Sequence, residues 1–563
     1  MSYLDRYNAW CNADLLPDVK DELKAICGDE EELKGRFGCD LQFGTAGMRG
    51  IMGAGTNRLN RYTVRRAAQG MAAWLASTDL PQKAAIGYDS RHNSQLFAEI
   101  CAVAFAEKGI HAYLYDRLAP TPMLSYAVRQ LGCGCGIVIS ASHNAGAYNG
   151  VKCYGPDGCQ MTDEPAAIVT EMISRIPYFV PEADTFAAFM EKGSISYIGQ
   201  DLWESYYQTV LAEAVEPEMI RSANLNVVYT PLCGTGNEPV REILGRLGVN
   251  IAIVKCQEQP DGDFKTCEYP NPETDAALNE SYKVADTVPC DVILGTDPDA
   301  DRVAIAVPWN GGYQKLSGNE LGCLLMDYVL KARATRKDIP AGAITVRSIV
   351  STPLADRIAA KYGVTMKAVL TGFKYIGGEI LELEQKGEEN KFIFGFEESC
   401  GYLKGTYARD KDAVVASMLV CELAAYLKLQ GKTIIDALND MYSEYGYYLA
   451  SVRSVELSGA DAMEKAAKMM SDLRAAVPAQ IGGACVTVFN DYKSSISKNV
   501  KNGDESKIRL PASNVLEFIL GEQGSVIVRP SGTEPKVKFY YTAVGSDKNE
   551  AQQLLTKMQA QIG

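Results

Sequence analysis

Three stretches of the chain repeat one pattern of apolar and polar positions. Each opens with a strand-favouring run: KAAIGYDSR from residue 83, LNVVYTPLCGTG from 225 and GAITVRSIVST from 342. A small or polar turn follows, then a segment with apolar residues at three-to-four spacing, SQLFAEICAVAFAEKG, NEPVREILGRLG or PLADRIAAKYG. That spacing gathers apolar side chains on one face of a helix. Each helix ends at a glycine, Gly109, Gly248 or Gly363, where a left-handed residue would close it, and another apolar run follows. Strands alternating with helices predict α/β layers with largely parallel pairing. The repeat is degenerate, so it reads as three similar domains and not a solenoid.

Downstream of each glycine comes a further apolar strand ending in an unusual loop: CGIVISASHN, CDVILGTDPDADR and KFIFGFEESCGY. In open α/β sheets ligands collect beyond the carboxyl ends of strands, so three domains would each present one chemically loaded loop to a shared site. After about residue 447 the pattern changes. VRSVEL, the helical AMEKAAKMMSDLRAAV and short strands through GSVIVRPSGTEPKVKFYYT suggest a separate α+β domain. The expected organisation is three similar mixed-sheet α/β domains plus a C-terminal α+β domain, with boundaries 1–204, 205–318, 319–447 and 448–563. A length of 563 residues agrees with roughly three to four domains.

The net charge of −14 argues against nucleic acid or an anionic membrane as the main partner. An anionic substrate would need positive charge gathered locally. No apolar run approaches the roughly 18 residues of a membrane span, and the N-terminal MSYLDRYNAWCNADLL reads as no secretory signal. Sixteen scattered cysteines without a CxxC pair read as reduced, mostly buried residues. A cytoplasmic protein is expected.

DPDAD places Asp297, Asp299 and Asp301 at alternate positions, which in an extended segment point the same way. Three like charges repel unless a cation joins them, and oxygen ligands suit Mg²⁺ or Ca²⁺. An EF-hand does not fit, because its sixth position is Arg302 and its twelfth Pro308. A solvated acidic turn is disfavoured by the apolar VIL before the loop and VAIAV after it.

Ser142 precedes His143, one of only three histidines. Adjacent residues on an extended chain point apart, which disfavours a Ser142–His143 base pair and leaves His92 and His111 open as distant partners. A serine that already carries phosphate would need no permanent base. The Gly- and Asn-rich loop around it, with Lys152 downstream, favours that reading over a bland loop serine.

RPSGTEPKVK supplies Arg529, the small residues Ser531, Gly532 and Thr533, then Lys536 and Lys538, which suits a phosphate better than a plain turn does. The lone GKT has Tyr426 where a P-loop needs glycine. Glu397 and Ser399 could bond vicinal hydroxyls. Further local cations are Arg49 beside Thr45 in FGTAGMRG, Lys374 in LTGFK, and Arg409 and Lys411 in ARDKD. Asp89 and Arg91 read as a structural ion pair.

Taken in order, FGTAGMRG, SASHNAGAYNG, GTDPDADR, FEESCGY and RPSGTEPK resemble the α-D-phosphohexomutase superfamily over essentially the whole chain. TPLCGTG, YPNPE, LSGNELG and LTGFKYIG look most like its phosphoglucomutase-2 and phosphopentomutase branch. The resemblance implies four domains around a central cleft. Ser142 would be the phosphoserine, and Mg²⁺ would be held by Asp297, Asp299, Asp301 and the phosphoryl oxygen on Ser142. Arg49, Lys152 and Lys411 would be catalytic, with Lys411 a candidate general acid/base. Substrate would meet Thr45, His143, Arg302, Thr371, Gly372, Lys374, Glu397, Ser399, Arg529, Ser531, Gly532 and Thr533.

Ala145 stands where that family usually has proline, Ser140 where threonine is common, and Cys233 where this branch often has histidine. The implied activity is an intramolecular phosphotransfer between glucose 1-phosphate and glucose 6-phosphate, with glucose 1,6-bisphosphate as intermediate and activator. The alternatives are a phosphomannomutase or phosphopentomutase and, in another class, a metal-dependent phosphatase or a non-catalytic sugar-phosphate-binding relative. A monomer or weak dimer is expected.

Overall fold

The computed structural model describes residues 2–44, 47–457, 462–530 and 536–563. The chain forms two compact units, residues 1–318 with 373–431, and residues 319–372 with 432–563.

Within the first unit, three short helices, Tyr3–Cys11, Pro17–Ala25 and Glu30–Phe37, bury Trp10 against Phe37, Tyr62, Tyr178 and Phe179. Among the described residues the following sheet has six strands, in the order Gly47–Ile51, Tyr148–Tyr154, Cys135–Ile139, Lys83–Tyr88, His111–Tyr115 and Ile195–Ile198. The strand Lys83–Tyr88 pairs in parallel with His111–Tyr115 and with Cys135–Ile139. A second sheet runs Gly312–Lys315, Val303–Trp309, Val292–Thr296, Asn226–Thr230 and Asn250–Ile253, again with a parallel centre. These central strands are buried on both faces, which explains their continuous apolar runs.

The predicted repeat is present in detail. Helices Ser94–Ala106, Asn237–Arg246 and Leu354–Lys361 each follow one strand and lead through a left-handed glycine to its parallel neighbour. Gly109, Gly248 and Gly363 have φ of +76°, +83° and +68°. Periodicity did not reveal what happens after each loaded loop. Cys135–Ile139 returns antiparallel as Tyr148–Tyr154, Val292–Thr296 as Val303–Trp309, and Phe392–Glu397 as Gly401–Lys404. Each loop is therefore the tip of a hairpin at the carboxyl end of a core strand, which makes the sheets mixed.

The second unit holds the parallel pair Ile344–Ser348 and Thr365–Val369 and a seven-stranded antiparallel sheet closed by helices Ala462–Ala475 and Lys548–Gln561. Its core includes Phe489, Leu516, Phe518, Val526, Val528, Val537 and Phe539. Among the described residues no helix is long and apolar enough to cross a membrane.

Candidate active site

The hairpin tips of the first unit meet. Asp297, Asp299 and Asp301 are buried, and one carboxylate oxygen from each lies within 4.8 Å of the others. They do not converge by alternation along an extended strand, as the sequence suggested. The segment turns sharply, with Ala300 at φ +50°, and the backbone N–H groups of Asp301 and Arg302 donate back to Asp297 Oδ1 at 3.1 and 3.0 Å.

Ser142 is 2% exposed and its Oγ donates to Asp297 Oδ2 at 2.8 Å. The same hydroxyl lies 3.2 Å from His143 Nδ1. This corrects the expectation that neighbouring side chains diverge: Ser142 has φ +52°, so the chain at this point is left-handed and not extended. Burial, followed by the charges of Arg302 and Arg49, holds the His143 imidazole well below its ordinary pKa and so neutral.

Two lysines offset the carboxylates. Lys152 Nζ donates to Asp299 Oδ2 and, at 3.1 Å, to Asp301 Oδ2. Lys411 Nζ lies 3.2 Å from Asp301 Oδ2 and donates to Asp410 Oδ1 at 3.1 Å. Its stem crosses Gly401, where any Cβ would collide with it. Asp299 Oδ2 also accepts from Thr121 Oγ1 and Ser140 Oγ, both at 3.0 Å.

Even so, the trio remains short of positive charge. Burial and then the charges of Asp299 and Asp301 push Asp297 well above the usual carboxylate range. For Asp299 and Asp301, burial works in the same direction but is outweighed, chiefly by Lys152 and, for Asp301, also by Lys411. Asp299 Oδ1 and Asp301 Oδ1 are buried without a hydrogen-bond partner. Two orphaned carboxylate oxygens in an all-oxygen donor set fit a hard divalent cation.

Around this centre Arg302 Nη1 donates to Glu273 at 2.8 Å, and Arg49 Nη1 to Asn144 Oδ1 at 2.9 Å. Lys374 Nζ donates to Asp163 at 2.7 Å. Glu397 is buried at the end of its strand, and Ser399 lies in the following turn, half-buried. Arg409 is not a site cation: its guanidinium is buried against Glu384 and the Thr406 and Ala408 carbonyls.

In the second unit, Thr371 carries a buried Oγ1 without a hydrogen-bond partner beside Gly372 at φ +122°. Arg529 stands opposite Lys538 across paired strands. Thr45, Ser531, Gly532 and Thr533 lie outside the described residues.

Sequence reading missed Thr121, Asp410, Glu273 and Asp163, each of which holds a group it did single out. Of these, Asp410 stood in the quoted ARDKD, next to Lys411, and Glu273 ended the quoted YPNPE.

A buried serine and a carboxylate triplet on hairpin tips of mixed α/β domains, with two compensating lysines beside them, fit a group-transfer site that could hold a metal ion. Comparison with known proteins specifies the class. Residues 40–178, 204–310, 317–445 and 493–558 match the phosphoglucomutase/phosphomannomutase α/β/α domains I, II and III and the C-terminal domain. A phosphoglucomutase of Staphylococcus epidermidis is 37% identical over 517 residues, covering 91% of this chain and 92% of that protein.

A phosphoglucomutase/phosphomannomutase family protein of Burkholderia thailandensis superposes with a TM-score of 0.67 at 17% identity, over 92% of this chain and 96% of that one. The N-acetylphosphoglucosamine mutase of Aspergillus fumigatus, solved with GlcNAc-6P and magnesium, superposes at 0.51 and 14% identity, over 97% and 99%. The chain belongs to the phosphoglucomutase/phosphomannomutase family of the α-D-phosphohexomutase superfamily, and it is an enzyme of the phosphotransferase (mutase) class.

Proposed function

We propose that the enzyme interconverts glucose 1-phosphate and glucose 6-phosphate, with Ser142 carrying the phosphoryl group. The observation that carries this reading is the 2.8 Å contact of Ser142 Oγ with the buried carboxylate triplet. The staphylococcal relatives, named phosphoglucomutases, support glucose over mannose or pentose.

Asp297, Asp299 and Asp301 would hold Mg²⁺, the ion present with the fungal relative. Bound there, it supplies Lewis-acid neutralisation of the charge on the transferring phosphoryl group. Phosphoserine 142 donates to the free hydroxyl of the sugar monophosphate, leaving a serine and a glucose 1,6-bisphosphate. The bisphosphate turns end for end, and its other phosphate returns to Ser142. One donor serine and one loop for the idle phosphate require that turn.

Glu397 and Ser399 would grip the sugar hydroxyls, and Arg302, Thr371, Gly372 and Lys374 would orient the sugar phosphate. Arg529, Ser531, Gly532 and Thr533 would hold the idle phosphate, and Thr45, Arg49 and His143 would steady the reacting end. Burial alone would strip Lys411 of its proton, but Asp301 and Asp410 more than restore it. Lys411 Nζ therefore enters as an ammonium, the acid that protonates the sugar oxygen when the phosphoryl group leaves it. Lys152 keeps Asp299 and Asp301 ionised.

A serine this buried favours transfer over hydrolysis, which argues against the phosphatase reading. Sixteen free cysteines suit a reducing compartment, the cytoplasm. The test is a panel of glucose-, mannose- and ribose-1-phosphate with and without glucose 1,6-bisphosphate, run beside Ser142→Ala. Glucose should lead and the bisphosphate should stimulate. Comparable rates on all three sugars would overturn the glucose assignment, and phosphate release exceeding isomer formation would overturn the mutase one.

A further inference from the structure

The loop 140–147 has a physical problem. It lacks proline, contains Gly146, and must hold Ser142 at φ +52°, a conformation that costs a non-glycine residue on the order of 1 kcal/mol. Something must over-determine it, and one side chain gathers three of its carbonyls and that of Tyr148 just beyond it. Arg91 Nη1 donates to the carbonyls of Ala145 at 2.8 Å and Tyr148 at 2.9 Å, while Nη2 donates to those of Ser142 at 2.5 Å and Asn144. The guanidinium is buried beside Asp89, with Nε 3.3 Å from Oδ2. It is thus aimed by the loop that follows strand Lys83–Tyr88.

The other face of the guanidinium is covered by a different domain. The Phe264 ring lies 4.9 Å from the Arg91 Cζ, and Phe264 itself sits at φ +49°. His92 Nε2 is 2.6 Å from Asp263 Oδ1. The backbones meet at two glycines: a Cβ on Gly146 would lie 2.6 Å from the Gly262 carbonyl oxygen, and one on Gly262 2.7 Å from the His92 nitrogen. The approach is too close for any other residue at either place.

We propose that Arg91 and the segment Gly262–Phe264 form a two-sided clamp that fixes the left-handed conformation of Ser142, so that Oγ faces the carboxylate triplet. Arg91 and Phe264 are positioning residues, since neither touches the triplet. The clamp takes over the stiffness that a proline at 145 would provide, and it ties the serine loop of the first domain to the second domain, which carries the carboxylates. This rests on Ser142 being the phosphoryl carrier.

A clamp that only positions predicts a particular kinetic signature. Arg91→Lys keeps the charge beside Asp89 but cannot span four carbonyls. It should lower kcat by about 10–100-fold, the cost of a misplacement near 1 Å, with KM changed less than about threefold. Phe264→Ala and Asp263→Asn lie on the outer side and should give smaller losses of the same kind, with thermal stability kept in Asp263→Asn, whose side chain is exposed, and lowered in Phe264→Ala, whose ring is buried.

The decisive readout is the single-turnover rate at which glucose 1,6-bisphosphate phosphorylates Ser142, followed by intact mass with Ser142→Ala as control. Slowed phosphorylation in Arg91→Lys and Asp263→Asn, with melting temperature and KM preserved in Asp263→Asn, supports the clamp. Wild-type phosphorylation rates in Phe264→Ala and Asp263→Asn overturn it, as does a loss confined to KM. Should Ser142→Ala itself acquire phosphate or keep activity, the carrier assignment fails independently of the clamp.

Discussion

The loops 140–147 and 297–302 occupy the same place in successive domains, each between a core parallel strand and its antiparallel return, yet opposite kinds of bond hold them. In the first, backbone carbonyls are gathered by one arginine from the loop after strand Lys83–Tyr88, and the product is a single neutral hydroxyl in an unusual conformation. In the second, side-chain carboxylates are crowded together and stabilised from outside. Lys152 comes from the first domain's return strand, Lys411 from the segment before helix Ala413–Lys428, and hydroxyls come from Thr121 and Ser140. A fold position therefore sets where a loop tip goes, not what it does. One loop should fail through geometry, the other through charge balance.

The contrast breaks most severely where the carboxylates are touched. Asp299→Asn should lower kcat by about 10²–10³-fold and blunt the response to Mg²⁺, because it removes charge from the donor set while keeping its shape. Metal titration of activity, with chelation and readdition on the wild type as reference, checks this. Lys152→Met should next cost about 3–5 kcal/mol of stability, since it strips a buried pair of its partner. Mg²⁺ should restore part of that loss by taking over the missing charge, read as a melting temperature that rises more with Mg²⁺ than in the wild type.

Glu422 sharpens the comparison as a buried carboxylate held mainly by neutral donors, the N–H groups of Val215 and Glu216. Burial pushes its carboxyl from 4.5 up to about 7, and those amides only partly oppose the rise. The unfolded chain loses this proton near pH 4.5, whereas the folded one keeps it until about 7. Stability should therefore fall as pH rises across that window, by on the order of 3 kcal/mol, and stay flat above it. Denaturant midpoints across the window, compared with a Glu422→Gln variant that flattens this contribution, test the sign. The smallest effect is expected at Ser140→Ala. Its hydroxyl accepts from Ser142 N–H at 2.8 Å and donates to Asp299, so its loss should cost about 1 kcal/mol, a several-fold drop in kcat.

Much of the fold was legible because it rests on periodicity and punctuation. The helices ending at Gly109, Gly248 and Gly363 announce themselves, and so do the apolar strands before each loaded loop. The hairpin returns were not legible, because a buried antiparallel strand such as Tyr148–Tyr154 reads like a parallel one. Residue types in the site were legible where charge or rarity marked them, as with the aspartate triplet and the lone Ser142–His143. Their geometry was not: both loops use left-handed residues, Ser142 and Ala300, that an extended reading overlooks. Arg91 was recognised as a partner of Asp89, but its main role toward four carbonyls leaves no trace in side-chain identity. Arg409 shows the reverse error, a cation that looks available in the sequence and is committed to Glu384 in the fold.

The most direct test of the central claim, that Ser142 works as a phosphoryl carrier against the carboxylate triplet, is intact mass with peptide mapping after exposure to glucose 1,6-bisphosphate and Mg²⁺. The account predicts one added phosphoryl group, on Ser142, that is lost on addition of glucose 1-phosphate or glucose 6-phosphate. An active enzyme that carries no phosphate there, or carries it on another residue, would contradict it.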